Sequence, residues 1–70
     1  MIKITELTKK TDQELNDFIA SERTALAQAI IDSRTKEVKA VKILHAHKKT
    51  IARALTLRRE REIAQEEAAQ

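Results

Sequence analysis

Apolar side chains recur every three or four residues along most of this chain, in two separate phases. From Asp12 the apolar positions are Leu15, Phe18, Ile19, Leu26, Ala29 and Ile30, a spacing that places them on one face of a helix. Val41, Leu44, Ile51 and Leu55, with Val38 more loosely, mark a second face further on. Thr11-Asp12-Gln13-Glu14 supplies the start of the first helix. Thr11 suits the N-cap, Glu14 stands three residues later as a capping box requires, and Asp12 and Glu14 suit the positive end of the helix dipole. The pattern predicts helix one over about 12–33, roughly 33 Å long, and helix two over about 37–66, with the end beyond residue 65 frayed. Ile4 and Leu7, three apart, predict a short helical element over about 3–9 that packs back on the rest.

The polar segment Asp32-Ser33-Arg34-Thr35-Lys36-Glu37 lies where the first phase lapses and the second begins. Asp32 and Ser33 compete for backbone hydrogen bonds there, and Thr35 is placed to cap the second helix. The expected architecture is all-α: a long antiparallel two-helix hairpin with a short N-terminal element, forming one domain over 1–70. One unbroken helix is the alternative, and it would leave both apolar stripes exposed. In a hairpin centred near residue 35, position i faces roughly 70 minus i. Leu15 then meets Leu55, Ile19 meets Ile51, and Leu26 meets Leu44; these six are the expected core. Glu22 interrupts the first stripe, and the same rule sets Lys48 opposite it. The expectation is a Glu22–Lys48 pair across the hairpin whose effect is on register, since partly exposed pairs contribute only about 0–1 kcal/mol.

Composition narrows the picture further. There is no glycine, proline or cysteine, and Phe18 is the one aromatic residue. The usual punctuation of tight hairpins is missing, so strands are not expected, and a disulfide framework and thiolate metal sites are excluded. No apolar run is long enough to span a bilayer and no signal-peptide core follows the N-terminus, so the expectation is a soluble, non-secreted protein. A chain this short buries only a thin core, and with no staple of its own it is expected to draw stability from a partner surface.

Charge is segregated more than the net value of +3 suggests. Residues 1–32 hold four basic and six acidic side chains, residues 33–61 ten and two, and residues 62–70 three glutamates. The middle segment therefore carries a strong positive field, for which nucleic acid is the favoured partner; an acidic protein or an anionic membrane would satisfy the same field. Lys42, His45, Lys49 and Arg53 step by three and four, so they share the helix face opposite Leu44 and Ile51. Such a row can follow a phosphate backbone, releasing counterions and setting position without reading sequence. A solvated lysine face is the plain alternative. Aromatic interleaving is missing, which favours the shape and phosphates of folded RNA over unpaired bases. His45 and His47 are two apart on a helix, point away from each other and cannot share a metal. Ala20, Thr24, Ala27 and Ile31 form an uncharged outer strip on helix one, either filler or a docking strip for RNA or protein. No catalytic set, phosphate loop or substrate cavity is evident, and no metal or cofactor is expected; the reading is a non-enzyme.

These residues resemble the family of the universal large-subunit ribosomal protein number 29. The resemblance rests on Glu6-Leu7, on Thr11-Asp12-Gln13-Glu14-Leu15, and on Lys48-Lys49-Thr50-Ile51-Ala52-Arg53-Ala54-Leu55-Thr56 followed by Arg59-Glu60-Arg61-Glu62, in the family's order and spacing over about 4–62. The chain departs from the family's pattern at Ala27-Gln28-Ala29-Ile30-Ile31, where relatives carry aromatic and basic residues, and near Lys36, where they carry a glycine. It also departs at His47, in place of an aliphatic, and at Glu22, in place of a leucine. The resemblance implies a long α-hairpin bound to large-subunit ribosomal RNA near the mouth of the peptide exit tunnel, in the cytoplasm. It implies large-subunit protein number 23 as neighbour, on a rim where chaperones and targeting factors dock. By position it implies Lys48, Lys49 and Arg53 as RNA contacts, and Arg23 more weakly. Charge alone adds Arg34, Lys36, Lys39, Lys42, His45, Arg58 and Arg59. Two rivals remain. A basic coiled-coil interaction module would self-associate through Leu15, Ile19, Leu44, Ile51 and Leu55. A small DNA-binding protein would be expected to present a short recognition helix.

Overall fold

The computed structural model describes residues 3–35 and 37–69, apart from the side chain of Ile4. Three helices follow one another: α1 (Ile4–Thr8), α2 (Asp12–Ser33) and α3 (Val38–Ala69). The helices α2 and α3 form an antiparallel hairpin and α1 packs on α3, giving a rod of 51 × 19 × 15 Å.

The start of α2 is fixed as the sequence suggests. The Glu14 N–H donates to the Thr11 hydroxyl oxygen at 3.2 Å. The Glu14 carboxylate accepts from the Thr11 hydroxyl at 3.0 Å, so the two side chains close on each other. The other end is built without glycine. Arg34, in right-handed helical geometry (φ −65°, ψ −17°), ends α2. The N–H groups of Arg34 and Thr35 donate to Ile31 and Asp32 carbonyls at 3.2 and 3.1 Å, tightening the last turn into i→i−3 bonds. The Ser33 and Thr35 hydroxyls donate to the Ile30 and Asp32 carbonyls at 2.7 and 2.9 Å. The Glu37 N–H then donates to the Thr35 hydroxyl oxygen at 3.4 Å, leading into α3.

The second hairpin helix, α3, extends to Ala69, a few residues beyond the end expected near residue 66. Its final turns consist of strong helix formers. Before them, the Gln65 amide donates to Asp12 Oδ2 at 3.2 Å, one turn beyond Arg61, which donates to Asp12 Oδ1 at 3.0 Å and to the Thr8 carbonyl at 3.1 Å.

The seam between α2 and α3 steps alternately by three and four. On α2 it comprises Leu15, Ile19, Glu22, Leu26, Ala29 and Ser33; on α3 it comprises Ala40, Leu44, His47, Ile51, Ala54, Arg58 and Arg61, all of them buried or half-buried. Glu22 and His47, which meet across the hairpin, add to 69, while the pairs Asn16–Arg58 and Asp12–Arg61 near the open end add to 74 and 73. This register differs from the sequence-based pairing in one consequential way: Ala54, fully buried, faces Leu15, and Leu55 packs half-buried beside it. Adjacent residues on a helix are about 100° apart, so a one-residue error moves a side chain from the seam to its flank.

The core is concentrated at the open end of the hairpin. Leu7, Leu15, Ile19 and Ala54 are buried together, with Phe18, Leu55 and Leu57 packed against them. Here α1 provides a third wall, and Leu7 is its anchor. A five-residue helix has no stability of its own, so the docking of Leu7 holds α1 as much as α1 covers the seam. Toward the tip only two helices meet, and Leu26 and Leu44 are half-buried, short of the full burial expected of core residues. Ile30, Ile31, Val38 and Ile43 are exposed in the same tip region.

Replacing Leu15 with alanine is expected to lower stability by about 2–5 kcal/mol, and Leu26→Ala by less than half as much, in urea unfolding followed by circular dichroism. Thr11→Ala should lower it by about 0.5–2 kcal/mol through loss of the N-cap.

Candidate nucleic-acid interface

The face of α3 turned away from the seam presents Lys42, His45, Lys49 and Arg53, all exposed. The first and last are eleven positions apart, roughly 17 Å of helix. None of the ion pairs among the described residues uses any of the four. The row is positioned by burial on the opposite side: Leu44, Ile51 and Ala54 face α2, and the helical repeat turns the cations outward. Lys49 and Arg53 also border a shallow groove between α3 and α1 with Thr8, Ala52, Thr56, Leu57 and Glu60.

The remaining basic candidates are distributed over other surfaces. Lys39 is exposed at the tip, beside Asp32, Thr35 and Glu37. Arg34 is exposed at the end of α2, and Arg23 is exposed on α2 itself. Lys36 lies outside the described residues.

Three assignments change. Lys48 is exposed on the flank of α3 and does not meet Glu22; the Glu22 carboxylate instead meets His47, with Oε2 2.6 Å from the ring Nδ1. The reason is rotational: the seam steps Leu44, His47, Ile51, and Lys48 falls one residue outside it. Arg58 is not on the outer face. It is half-buried on the seam and donates to the Asn16 amide oxygen at 3.4 Å. Its side chain leans toward the N-terminus of its own helix and so reaches a residue further along α2 than register alone predicts. Arg59 stands outside the row and pairs with Glu62 at 3.3 Å, both exposed.

Arg61 was not singled out by charge, yet it links α3 to both Asp12 and the Thr8 carbonyl. The signal was present as the three–four step through Ile51, Ala54, Arg58 and Arg61, but it is carried by residues with no hydropathy to reveal it. Phe18 is occupied inside the protein, packed on the core with the Lys10 ammonium 5.6 Å from its ring centre. No group of three or more metal-ligating side chains occurs among the described residues, and no described helix is long and apolar enough to cross a membrane.

The family model described as Ribosomal L29 protein matches residues 5–61. The chain belongs to the Ribosomal L29 protein family. The match spans α1, α2 and α3 as far as Arg61, and so takes in the whole seam and the cation row. Membership in the L29 family makes the chain a structural protein of the large ribosomal subunit, in a class that is typically non-enzymatic and that associates with ribosomal RNA and other ribosomal proteins. No curated protein and no solved structure gave a significant match.

Proposed function

We propose that this chain binds ribosomal RNA through the outer face of α3, with Lys42, His45, Lys49 and Arg53 lying along the phosphate backbone near the peptide exit tunnel. Lys39, Lys48, Arg23 and Arg34 add flanking contacts. The observation that carries this reading is the row of Lys42, His45, Lys49 and Arg53, exposed and outside every ion pair among the described residues, on a helix whose opposite face packs on α2. A helix packed on one side and cationic on the other can lie against RNA without opening the hairpin. Phosphate contacts then set its position and orientation while the bases stay unread, consistent with the lone aromatic being occupied within the protein. The placement at the tunnel rim in the cytoplasmic ribosome, beside large-subunit protein number 23 and within reach of chaperones and targeting factors, rests on the resemblance to the family.

The rival coiled-coil reading is weakened by the seam. Leu15, Ile19, Leu44, Ile51 and Leu55 are already engaged within the chain, so self-association through them would require the hairpin to open.

Lys49→Glu combined with Arg53→Glu should weaken binding to large-subunit RNA and flatten the plot of log affinity against log salt by about 1.4–1.8, the share of two lost phosphate contacts. Unchanged binding and unchanged incorporation into large subunits would contradict the assignment. Arg58→Ala should leave that slope as it is and lower stability by under about 1 kcal/mol, since its guanidinium serves the hairpin; a reduced slope would return Arg58 to the RNA face.

A further inference from the structure

The outer face of α3 does not end with Arg53. The step of three and four that runs through Lys42, His45, Lys49 and Arg53 continues through Thr56 and Glu60, and seven positions further on through Glu67, all of them exposed. Glu60 stands roughly 10 Å beyond Arg53 along the axis and about 20° from it around the helix. It lines the same shallow groove as Lys49 and Arg53. The cation row therefore runs into a carboxylate on its own face.

Beyond Thr56, α3 carries Arg58, Arg59 and Arg61 against Glu60, Glu62, Glu66 and Glu67, so by count this segment is close to neutral. Its outward surface is not. Arg58 is turned into the seam toward Asn16, Arg61 is held by Asp12 and the Thr8 carbonyl, and Arg59 is paired with Glu62. Glu60, Glu66 and Glu67 are exposed and outside every ion pair among the described residues. The surface thus changes from positive to negative between Arg53 and Glu60, with Thr56 at the crossing. A phosphate backbone laid along the row is attracted as far as Arg53, and its next phosphates would come against the Glu60 carboxylate, where like charges repel. Salt confines that repulsion to about 8 Å, so Glu60 acts on phosphates that reach it and leaves those at Lys42 and Lys49 undisturbed.

We propose that Glu60 marks the end of the RNA footprint on α3. The proposal rests on the assignment of the cation row to RNA and adds an axial position to it: the backbone is seated between Lys42 and Thr56, and the turns from Glu60 to Ala69 stand outside the RNA. Cations alone hold a backbone without fixing where along it they sit, which is why purely electrostatic binding permits sliding. A carboxylate at one end of the row makes the seat one-sided.

The test is binding of the full chain to large-subunit RNA over a series of salt concentrations. Lysine supports a helix as well as glutamate does, and both substituted positions are exposed, so the fold is retained. Glu60→Lys is expected to tighten binding and to steepen the plot of log affinity against log salt by about 0.7–0.9, one added phosphate contact. Glu67→Lys by itself is expected to leave the slope as it is, because the RNA stops short of it. In a chain that already carries Glu60→Lys, the same substitution is expected to steepen the slope again. A general gain of positive charge would act alike at the two positions and in either background. An unchanged slope in Glu60→Lys overturns the proposal, as does Glu67→Lys acting the same with and without Glu60→Lys. The row has its own test in Lys49→Glu with Arg53→Glu. If that pair weakens binding while Glu60→Lys changes nothing, the boundary falls and the row stands; if neither alters binding, both fall.

Discussion

Two helices lying side by side can bury only a narrow strip of each other, and everything else in this protein follows from how that strip is filled. At the open end of the hairpin, Leu15, Ile19 and Ala54 reach full burial because α1 adds Leu7 from a third direction. Toward the tip no third element is present, and Leu26 and Leu44 stay half-buried while Ile30, Ile31, Val38 and Ile43 remain exposed. Burial of large side chains is therefore greatest where α1 docks, and toward the tip the small Ala29 is the fully buried seam residue. The tip is accordingly where contact with RNA or a neighbouring protein would add most, in keeping with a protein that functions as part of a larger particle.

The seam also sorts the charges. By fixing which side of α3 faces inward, it turns Lys42, His45, Lys49 and Arg53 outward and draws His47, Arg58 and Arg61 toward α2. Arginine thus serves two purposes five to eight positions apart. Arg53 is free for an anionic partner; Arg58 and Arg61 are occupied by Asn16, Asp12 and Thr8. Net charge by segment does not distinguish these uses, whereas position relative to the seam does.

Much of this was legible in the sequence because it depends on local chemistry or on long repeats. The Thr11 cap needs only Thr11 and Glu14, and the outward row needs only the helical period. The alignment of the two stripes follows from symmetry about the turn. What was not legible depends on rotation by a single residue. Counting from the turn sets Lys48 and Leu55 on the seam, while packing sets His47 and Ala54 there. Alanine carries little hydropathy signal, yet in this seam its small size makes it suited to close approach, and it is the residue fully buried against Leu15. Charged seam residues such as Arg58 and Arg61 give the opposite false signal, reading as surface cations while they bridge elements. Family membership supplied what geometry alone does not, the ribosome as the setting for the cationic face.

The central claim is that the outer face of α3 is the surface that meets RNA. Amine-reactive labelling with mass-spectrometric readout compares the free protein with the same protein in intact large ribosomal subunits. The account predicts that Lys42 and Lys49 lose most of their reactivity in the subunit while Lys9, exposed at the base of the hairpin, keeps far more of its own. Lys42 and Lys49 labelling as fast in the subunit as in the free protein would contradict it.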